Sequence, residues 1–394
     1  MKIRSVRSLG VHEKRVFVRV DFNVPLAEDG GIRTDARIRA ALPTINLLLD
    51  RGATVVLASH LGKPKGRVNP KLGLKPIAEH LGRLLARKVT FAPNCVGPET
   101  ERLVAAAPSG SVILLENLRF HAGEEANNPA FASALAALAD EYVNDAFGTA
   151  HRAHASTAGI AEEFERPAAG LLMEKEVESL ARVMEAPEPP FVAVIGGSKV
   201  SDKAGVIANI LPRVTSLLTG GGVVFTFLKA KGREIGTSLC EPDFLDTASK
   251  LLSNPKLVLP ADVIVAIGPD EPATARVVPE DGIPPAGMGL DIGPAAARLY
   301  AEAIAKARTV IWAGPMGVFE KDAFAAGSEA VARAVAAATA AGATTVVGGG
   351  DTLACLAKWN LLDKVGHAST GGGACLEFLE GRELPGIRVL TLKE

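Results

Sequence analysis

A short apolar run that ends in two glycines constrains the fold of this chain most strongly. Residues 191–195 are apolar and rich in β-branched side chains, which is typical of a buried strand in a parallel sheet. Gly196 and Gly197 follow, and glycine allows the backbone to turn sharply there. Apolar residues then recur at helical spacing (Val200, Ala204, Ile207). The pattern predicts a strand–turn–helix unit whose helix begins just past the glycines.

This unit also indicates an anion site. The first N–H groups of a helix are unpaired and attract anions. Lys199 and Lys203 are four residues apart, so on a helix both ammonium groups project from one face. The alternative is an ordinary turn with two solvated lysines. The chain contains neither the P-loop pattern G-x-x-x-x-G-K-[ST] nor the dinucleotide pattern G-x-G-x-x-G.

In the first half of the chain, four predicted strands end in polar side chains. The strands are residues 16–20, 54–58, 111–115 and 141–143, and the polar residues that follow them are Asp21, Asn23, His60, Lys63, Arg119, His151, Arg152 and His154. A lone histidine is more often a hydrogen-bonded structural residue than a ligand-binding one. Because the carboxyl ends of parallel strands meet at one edge of a sheet, we expect these side chains to converge on a binding site.

Glycine-rich loops follow the predicted strands of the second half. The strands are residues 216–219, 262–266, 309–312 and 344–347, and the loops are residues 220–222, 314–317 and 348–350. Such loops suit a flat base and a phosphate chain that must touch the backbone. Asp351, beside the last loop, suits magnesium as a single carboxylate ligand. It also suits the N-cap of a helix starting at Thr352, and the two roles are compatible.

The chain is long enough for two domains, and a proline-rich stretch marks the best boundary. It has 394 residues, and strands alternate with helices in both halves, which predicts doubly wound domains. Met173, Val177, Leu180 and Met184 lie on one helical face before the proline-rich residues 185–190. The alternating residues 387–392 predict an extended final segment.

Charge and composition exclude several classes of partner. The net charge of −1 favours neither nucleic acid nor an anionic membrane. Residues 1–75 nevertheless hold fifteen Lys and Arg against six acids, which fits either a basic surface or a cleft for a small polyanion. Four cysteines without a C-x-x-C pair fit reduced, buried thiols. No signal peptide or membrane span is evident, so we expect a cytoplasmic protein.

Nine segments of the sequence resemble those of the phosphoglycerate kinases, over nearly the full chain. They are VDFNVP (20–25), SHLG (59–62), ENLRF (116–120), DAFGTAHRAH (145–154), GGSKVSDK (196–203), MGLDIG (288–293), GPMGVFE (314–320), GGGDT (348–352) and STGGG (369–373).

The resemblance implies a particular α/β architecture. It consists of two doubly wound parallel-sheet (Rossmann-like) domains separated by a cleft and joined by an interdomain helix at residues 171–185. A glycerate-binding N-terminal domain takes residues 1–170, and a nucleotide-binding C-terminal domain takes residues 186–379. The last segment, from about residue 380 to 394, returns to the N-terminal domain. A monomer is expected.

The resemblance also implies an activity. This is the reversible, in-line transfer of the 1-phosphate of 1,3-bisphosphoglycerate to Mg²⁺-ADP after hinge closure, giving 3-phosphoglycerate and ATP in glycolysis or gluconeogenesis. The alternative is a non-catalytic two-domain protein that binds a nucleotide or a sugar phosphate. Lys199, Lys203 and Asp351 together favour catalysis, because simple binding needs no magnesium ligand facing two lysines.

The resemblance assigns roles to individual residues. The expected substrate-binding residues are Asp21, Phe22, Asn23, Arg37, His60, Leu61, Gly62, Lys63, Arg119 and Arg152. The expected nucleotide-binding residues are Gly197, Lys199, Lys203, Gly221, Gly289, Glu320 (at the ribose), Gly349, Gly350, Asp351 (at Mg²⁺) and Thr352. Arg37 and Lys199 are the expected catalytic residues. The chain departs from the family at Lys63, usually arginine, and at Ala313, usually asparagine.

Overall fold

The chain divides into two compact units. A computed structural model describes residues 2–27 and 30–392, so Met1, Glu28, Asp29, Lys393 and Glu394, which the domain predictions include, lie outside the described residues. One unit contains the chain up to Glu178 together with the chain from Glu383 onward, and the other is Ser179–Arg382.

The strands are short and mostly buried. In chain order they are β1 (Arg15–Arg19), β2 (Thr54–Ala58), β3 (Val89–Ala92), β4 (Val112–Leu115), β5 (Glu141–Asn144), β6 (Ala168–Ala169), β7 (Phe191–Ile195), β8 (Ser216–Thr219), β9 (Leu257–Val258), β10 (Asp262–Ala266), β11 (Arg276–Pro279), β12 (Met288–Ile292), β13 (Thr309–Ala313), β14 (Thr344–Gly348) and β15 (His367–Ala368).

The α-helices alternate with the strands. They are α1 (Ala36–Asp50), α2 (Lys75–Leu85), α3 (Pro98–Ala105), α4 (Ala122–Glu125), α5 (Pro129–Ala136), α6 (Leu171–Glu185), α7 (Ala204–Ile210), α8 (Val223–Ala230), α9 (Leu245–Leu252), α10 (Pro294–Ala305), α11 (Ala326–Ala340), α12 (Gly350–Lys358), α13 (Gly373–Leu379) and α14 (Pro385–Arg388). Short 3-10 helices occur at Val6–Ser8, Pro70–Leu72, Leu118–Phe120, Phe147–Thr149, Gly159–Glu163, Pro242–Phe244, Pro272–Thr274, Asp322–Phe324 and Leu362–Lys364.

The first unit is built on one parallel sheet with the strand order β3-β4-β2-β1-β5-β6. Strand β1 lies inside this sheet, paired with β2 and β5. The apolar residues of β1 and β2 pack with one face of α1, where Ile38, Ala41 and Ile45 recur at helical spacing and are buried. Because β1, β2, β4 and β5 run parallel, the loops that follow them all leave the sheet at its carboxyl edge.

The end of the chain packs within the same unit as its start. Arg4 N–H donates to the carbonyl of Leu390 at 2.9 Å, and Gly386 N–H donates to the carbonyl of Ala150 at 2.8 Å. The predicted extended segment is wrong in part, because residues 385–388 form the helix α14. Pro385 at the helix start has a favourable fixed φ, and the alternating pattern does not register this.

The second unit contains a parallel sheet of order β15-β14-β13-β7-β8-β9 and a separate sheet of order β11-β10-β12. The two predicted doubly wound parallel sheets are therefore confirmed, but residues 262–266 do not belong to either of them. They form β10, which pairs antiparallel with both β11 and β12. An apolar run predicts a strand but carries no information about the direction of its partners.

Helix α6 carries its apolar face as expected. Met173, Val177 and Leu180 are at most 1% exposed, and Met184 is also buried. The division between the two units falls within this helix, after Glu178.

Candidate functional site

At the carboxyl edge of the first sheet, an ion pair joins the end of β1 to the start of α1. Arg37 Nη1 lies 3.0 Å from Asp21 Oδ2 and also donates to the carbonyl of Asn23 at 3.2 Å. Asn23 N–H donates back to Asp21 Oδ1 at 3.1 Å. These contacts hold the guanidinium of Arg37 beside the strand end while its side chain stays about a third exposed.

A second chain of hydrogen bonds ties the loops after β1, β2 and β4 together. Gly62 N–H donates to Asn23 Oδ1 at 2.9 Å, and Arg119 Nη1 donates to the carbonyl of Gly62 at 2.8 Å. The side chain of Arg119 is only 3% exposed. Within the described part of the chain its Nη2 has no hydrogen-bond partner. A buried guanidinium with an unpaired N–H group is suited to an anionic ligand.

Two further predicted substrate-binding residues, His60 and Arg152, differ in their surroundings. His60 is buried, and burial, followed by the charges of Arg19, Arg119, Arg152 and Arg37, places its pKa well below the usual histidine value. Arg152 is partly exposed and donates from Nε to His151 Nε2 at 3.1 Å. The first unit therefore brings the arginines Arg37, Arg119 and Arg152, together with the uncharged ring of His60, to one positively charged edge.

Two predicted substrate-binding residues, Phe22 and Leu61, do not present polar side chains to this edge. Phe22 and Leu61 lie in the apolar core, where each is at most 2% exposed. Phe22 N–H donates to Ser59 Oγ at 2.8 Å, and Leu61 N–H donates to Asn117 Oδ1 at 3.2 Å. Both therefore shape the loops through their backbone. Lys63 is exposed.

Sequence reasoning missed the buried polar residues beneath the edge. Arg19, Asn117, Glu124 and Ser156 are all fully buried. Asn117 Nδ2 donates to the carbonyls of Leu61 and Leu72 at 2.8 and 2.9 Å, which holds the loop after β2. The signal that was available is the charge of Arg19 inside an otherwise apolar strand, because a buried charge needs a partner.

In the second unit the glycine loops surround a cavity of about 520 Å³. It brings together most of the predicted nucleotide-binding residues, namely Gly197, Lys199, Lys203, Gly349, Gly350, Asp351 and Thr352. The remaining ones, Gly221, Gly289 and Glu320, are not part of its lining. Gly289 N–H donates to Ser238 Oγ at 2.8 Å, and a Cβ at Gly289 would overlap the ring of Phe225.

Close backbone packing explains why glycines line this cavity. Gly197 N–H donates to the carbonyl of Pro315 at 2.9 Å, and Gly221 N–H donates to the carbonyl of Met316 at 2.8 Å. Gly314 has a φ of +102°, and a Cβ there would overlap the carbonyl of Gly196. The loops after β7, β8 and β13 thus touch through their main chains, which leaves backbone groups at the cavity wall.

The predicted helix directly after Gly197 is wrong. Helix α7 begins only at Ala204, and residues 198–203 form turns. Ser201 N–H and Oγ donate to the carboxylate of Glu241 at 2.9 and 2.6 Å, which holds the segment out of a helix. Lys199 and Lys203 therefore do not share a helical face. Lys199 is exposed, whereas Lys203 is 9% exposed and burial lowers its pKa.

Asp351 lies in the first turn of α12 rather than at its N-cap. The N-cap is Gly349, and Asp351 is exposed beside the cavity. Residues 2–27 and 30–392 contain no group of three or more His, Cys, Asp or Glu arranged to hold a metal ion. A single carboxylate suits a magnesium ion that takes its other ligands from phosphates and water.

None of the helices in the described ranges has the length and apolar character needed to cross a membrane.

Comparison with known proteins places the chain in a family. The model of the phosphoglycerate kinase family matches residues 6–382. The chain is 54% identical to a phosphoglycerate kinase of Moorella thermoacetica over 99% of both chains, and 51% identical to a cytosolic phosphoglycerate kinase of Triticum aestivum over 98% of both.

Solved structures agree with the sequence relatives. The phosphoglycerate kinase from Coxiella burnetii is 44% identical, with a TM-score of 0.90 over 99% of both chains. The phosphoglycerate kinase from Pyrococcus horikoshii OT3 is 34% identical, with a TM-score of 0.85 over 98% of both chains. Both the sequence and the fold are matched from end to end, and the chain belongs to the phosphoglycerate kinase family.

Proposed function

We propose that this chain is a phosphoglycerate kinase that reversibly transfers the 1-phosphate of 1,3-bisphosphoglycerate to ADP, giving 3-phosphoglycerate and ATP. The observation that carries the proposal is the family match over residues 6–382 in a chain that has both an arginine-rich sheet edge and a glycine-lined cavity with two lysines. A protein that only binds a nucleotide or a sugar phosphate is the alternative.

The glycerate ligand is proposed to bind at the positive edge of the first unit, residues 1–170 with the end of the chain. Its negative charges suit the guanidinium groups of Arg37, Arg119 and Arg152, which offer paired N–H donors to carboxylate and phosphate oxygens. His60 and Asn23 add neutral polar contacts, and Asp21 holds Arg37 in place. Gly62 and the exposed Lys63 complete the proposed set, with Phe22 and Leu61 supporting it from the core.

The nucleotide is proposed to bind in the second unit, within residues 186–379. Lys203 and the main chain of Gly197, Gly349 and Gly350 suit its phosphates. Asp351 would hold Mg²⁺, which neutralises charge on the phosphate oxygens when bound. Gly221, Gly289 and Glu320, which lie outside the cavity lining, are proposed to contact the base and ribose.

The chemistry requires charge neutralisation more than covalent participation by the protein. Arg37 and Lys199 are the proposed catalytic cations, since each is at least partly exposed and near one ligand's proposed position. Transfer requires the two ligands to meet. We therefore propose a hinge in α6, and closure about this hinge excludes water from the acyl phosphate. We also propose a cytoplasmic monomer, in line with the cytosolic wheat relative.

Separate titrations with ADP and 3-phosphoglycerate, together with a coupled ATP-forming assay, test the assignment. Arg119→Met is expected to weaken 3-phosphoglycerate binding alone, and Lys203→Met to weaken ADP binding alone. Lys199→Ala is expected to lower kcat on the order of 10²-fold, as for the loss of one preorganised electrostatic donor. Arg333→Met, at an exposed ion pair on α11, is the matched control. Binding of both ligands without turnover would support the non-catalytic alternative.

A further inference from the structure

A buried arginine lies directly beneath the positive edge. Arg19 is the last residue of β1, and its side chain is fully buried. Burying a charge is costly unless it is paired and hydrogen-bonded. The fully buried carboxylate of Glu124 is the nearby opposite charge, and the two groups are connected through Ser156.

The direction of each hydrogen bond in this cluster follows from the chemistry of arginine. A guanidinium has only donors. Arg19 Nε therefore donates to Ser156 Oγ at 2.8 Å, which leaves the hydroxyl proton of Ser156 for Glu124 Oε1 at 2.6 Å. Ser156 N–H donates to the other carboxylate oxygen of Glu124 at 3.0 Å. The guanidinium is thus oriented by groups that lie far from it in the chain, together with the adjacent carbonyl of Val20, to which Arg19 Nη1 donates.

The same argument fixes the proton on His60. Arg19 Nη2 lies 3.2 Å from His60 Nδ1, so Nδ1 must present its lone pair and the ring proton must sit on Nε2. Asp21 Oδ1 favours the opposite tautomer, in which Nδ1 carries the proton. It lies 4.0 Å from Nδ1, however, which is too long for a hydrogen bond.

We propose that Arg19 is a positioning residue that holds His60 as the neutral Nε2–H tautomer, so that Nε2 donates to an anionic oxygen of the glycerate ligand. The choice of ligand rests on the proposed function, but the tautomer does not. The charged groups that act on His60 are Arg19, Asp21, Arg37, Arg119 and Arg152, and the four arginines favour the neutral ring. His60 therefore contributes a directed N–H donor rather than a positive charge.

Nitrogen-15 NMR of the histidine rings tests the tautomer in the ligand-free wild-type protein. The signal of His60 is assigned by its loss in His60→Asn among the seven histidines of the chain. At neutral pH we expect Nδ1 to be unprotonated and Nε2 to be protonated. A protonated Nδ1 on His60 would overturn the proposal, whatever the protein binds.

Two variants test the role of Arg19. Arg19→Met combined with Glu124→Gln removes both buried charges together, so that neither is left unpaired. We expect His60 to shift toward the tautomer with Nδ1 protonated, and the Kd for 3-phosphoglycerate to rise about tenfold, the equivalent of one lost hydrogen bond to a charged ligand. Arg19→Lys keeps the positive charge but loses the planar set of N–H donors of the guanidinium. It is therefore expected to change the His60 tautomer and the Kd for 3-phosphoglycerate in the same directions.

Arg51→Met provides the matched control. Arg51 is another arginine of the first unit, and it donates to the carbonyls of Val6, Arg7 and Leu9 away from His60. We expect it to lower stability without changing the His60 tautomer. If both Arg19 variants keep the wild-type tautomer, Arg19 does not position His60. If the tautomer shifts but no form of the protein binds 3-phosphoglycerate, the proposed function fails and the positioning role stands.

Discussion

Thr352 and Gly314 join two glycine loops of the second unit through one hydroxyl. Gly314 N–H donates to Thr352 Oγ1 at 2.7 Å, and that hydroxyl donates to the carbonyl of Gly348 at 2.8 Å. Thr352 is fully buried, Gly314 directly follows β13, and Gly348 is the last residue of β14. The Thr352 side chain therefore adds a second connection between the two loops at the candidate nucleotide site, beside the pairing of β13 with β14.

Replacing Thr352 by valine should loosen this connection. The substitution keeps the shape of the side chain but leaves the buried N–H of Gly314 unpaired, which costs about 1–3 kcal/mol. We expect a lower Tm and an ADP affinity reduced about tenfold, measured by calorimetry. Thr352→Ser keeps the hydroxyl and should stay near the wild type. Equal behaviour of the two variants would show that the hydroxyl does not set the loop geometry.

Gly196→Ala should damage the nucleotide site. A Cβ at Gly196 would overlap the carbonyl oxygen of Pro315, and backbone cannot move away as a flexible side chain can. We expect weaker ADP binding with unchanged 3-phosphoglycerate binding. The control is Gly268→Ala, because a Cβ at Gly268 meets nothing within 4 Å. Loss of both affinities in Gly196→Ala would indicate general unfolding, which thermal melting detects.

Lys63→Arg should tighten 3-phosphoglycerate binding by a few-fold. Lys63 is exposed beside Gly62, and a guanidinium offers two parallel donors to a phosphate where an ammonium offers a point charge. Lys71→Arg makes the same change at an exposed lysine and should have no effect. Titration calorimetry of both variants gives the comparison, and unchanged affinity in Lys63→Arg would place Lys63 outside the glycerate site.

The stability of the chain should depend on the protonation of Asp291. Burial raises the pKa of this carboxyl to about 7, although it accepts N–H groups from Gly327 and Ile292. Above that pH both the folded and unfolded states are ionised, and the burial penalty is present in full. As the pH falls, the folded state takes up the proton first, so the free energy of unfolding rises by up to about 1.4 kcal/mol per pH unit.

This gain should end near pH ~4, where the unfolded aspartate also titrates. Denaturant unfolding between about pH 5 and about pH 8 measures the free energy of unfolding of the wild type and of Asp291→Asn. The difference between the two values isolates the contribution of Asp291, because the contributions of the other acids are common to both proteins and cancel. As the pH falls, the free energy of unfolding of the wild type should rise relative to that of the variant. Asp270→Asn, at an exposed carboxyl paired with Lys321, should show no such trend. If the difference between the wild type and Asp291→Asn does not change with pH, the carboxyl of Asp291 has an ordinary pKa.

Local sequence patterns predicted the central strands of both parallel sheets and β10, but missed β3, β6, β9, β11, β12 and β15. Residues 191–195 and 262–266 form β7 and β10 with the predicted bounds, because a run of β-branched apolar residues favours a strand wherever it is buried. The buried face of α6 follows in the same way from helical spacing. The polar residues at the ends of β1, β2 and β4 were also visible, since each directly follows an apolar run.

Only the tertiary structure decided how these pieces interact. The direction of β10 depends on β11 and β12, and the turns at residues 198–203 depend on Glu241, forty residues beyond Ser201. The buried role of Arg19 depends on Ser156, 137 residues away in the chain. Strand and helix formation reflect preferences of neighbouring residues, whereas burial of a charge and the partner of a strand depend on contacts between distant segments. Those contacts form only when the chain folds.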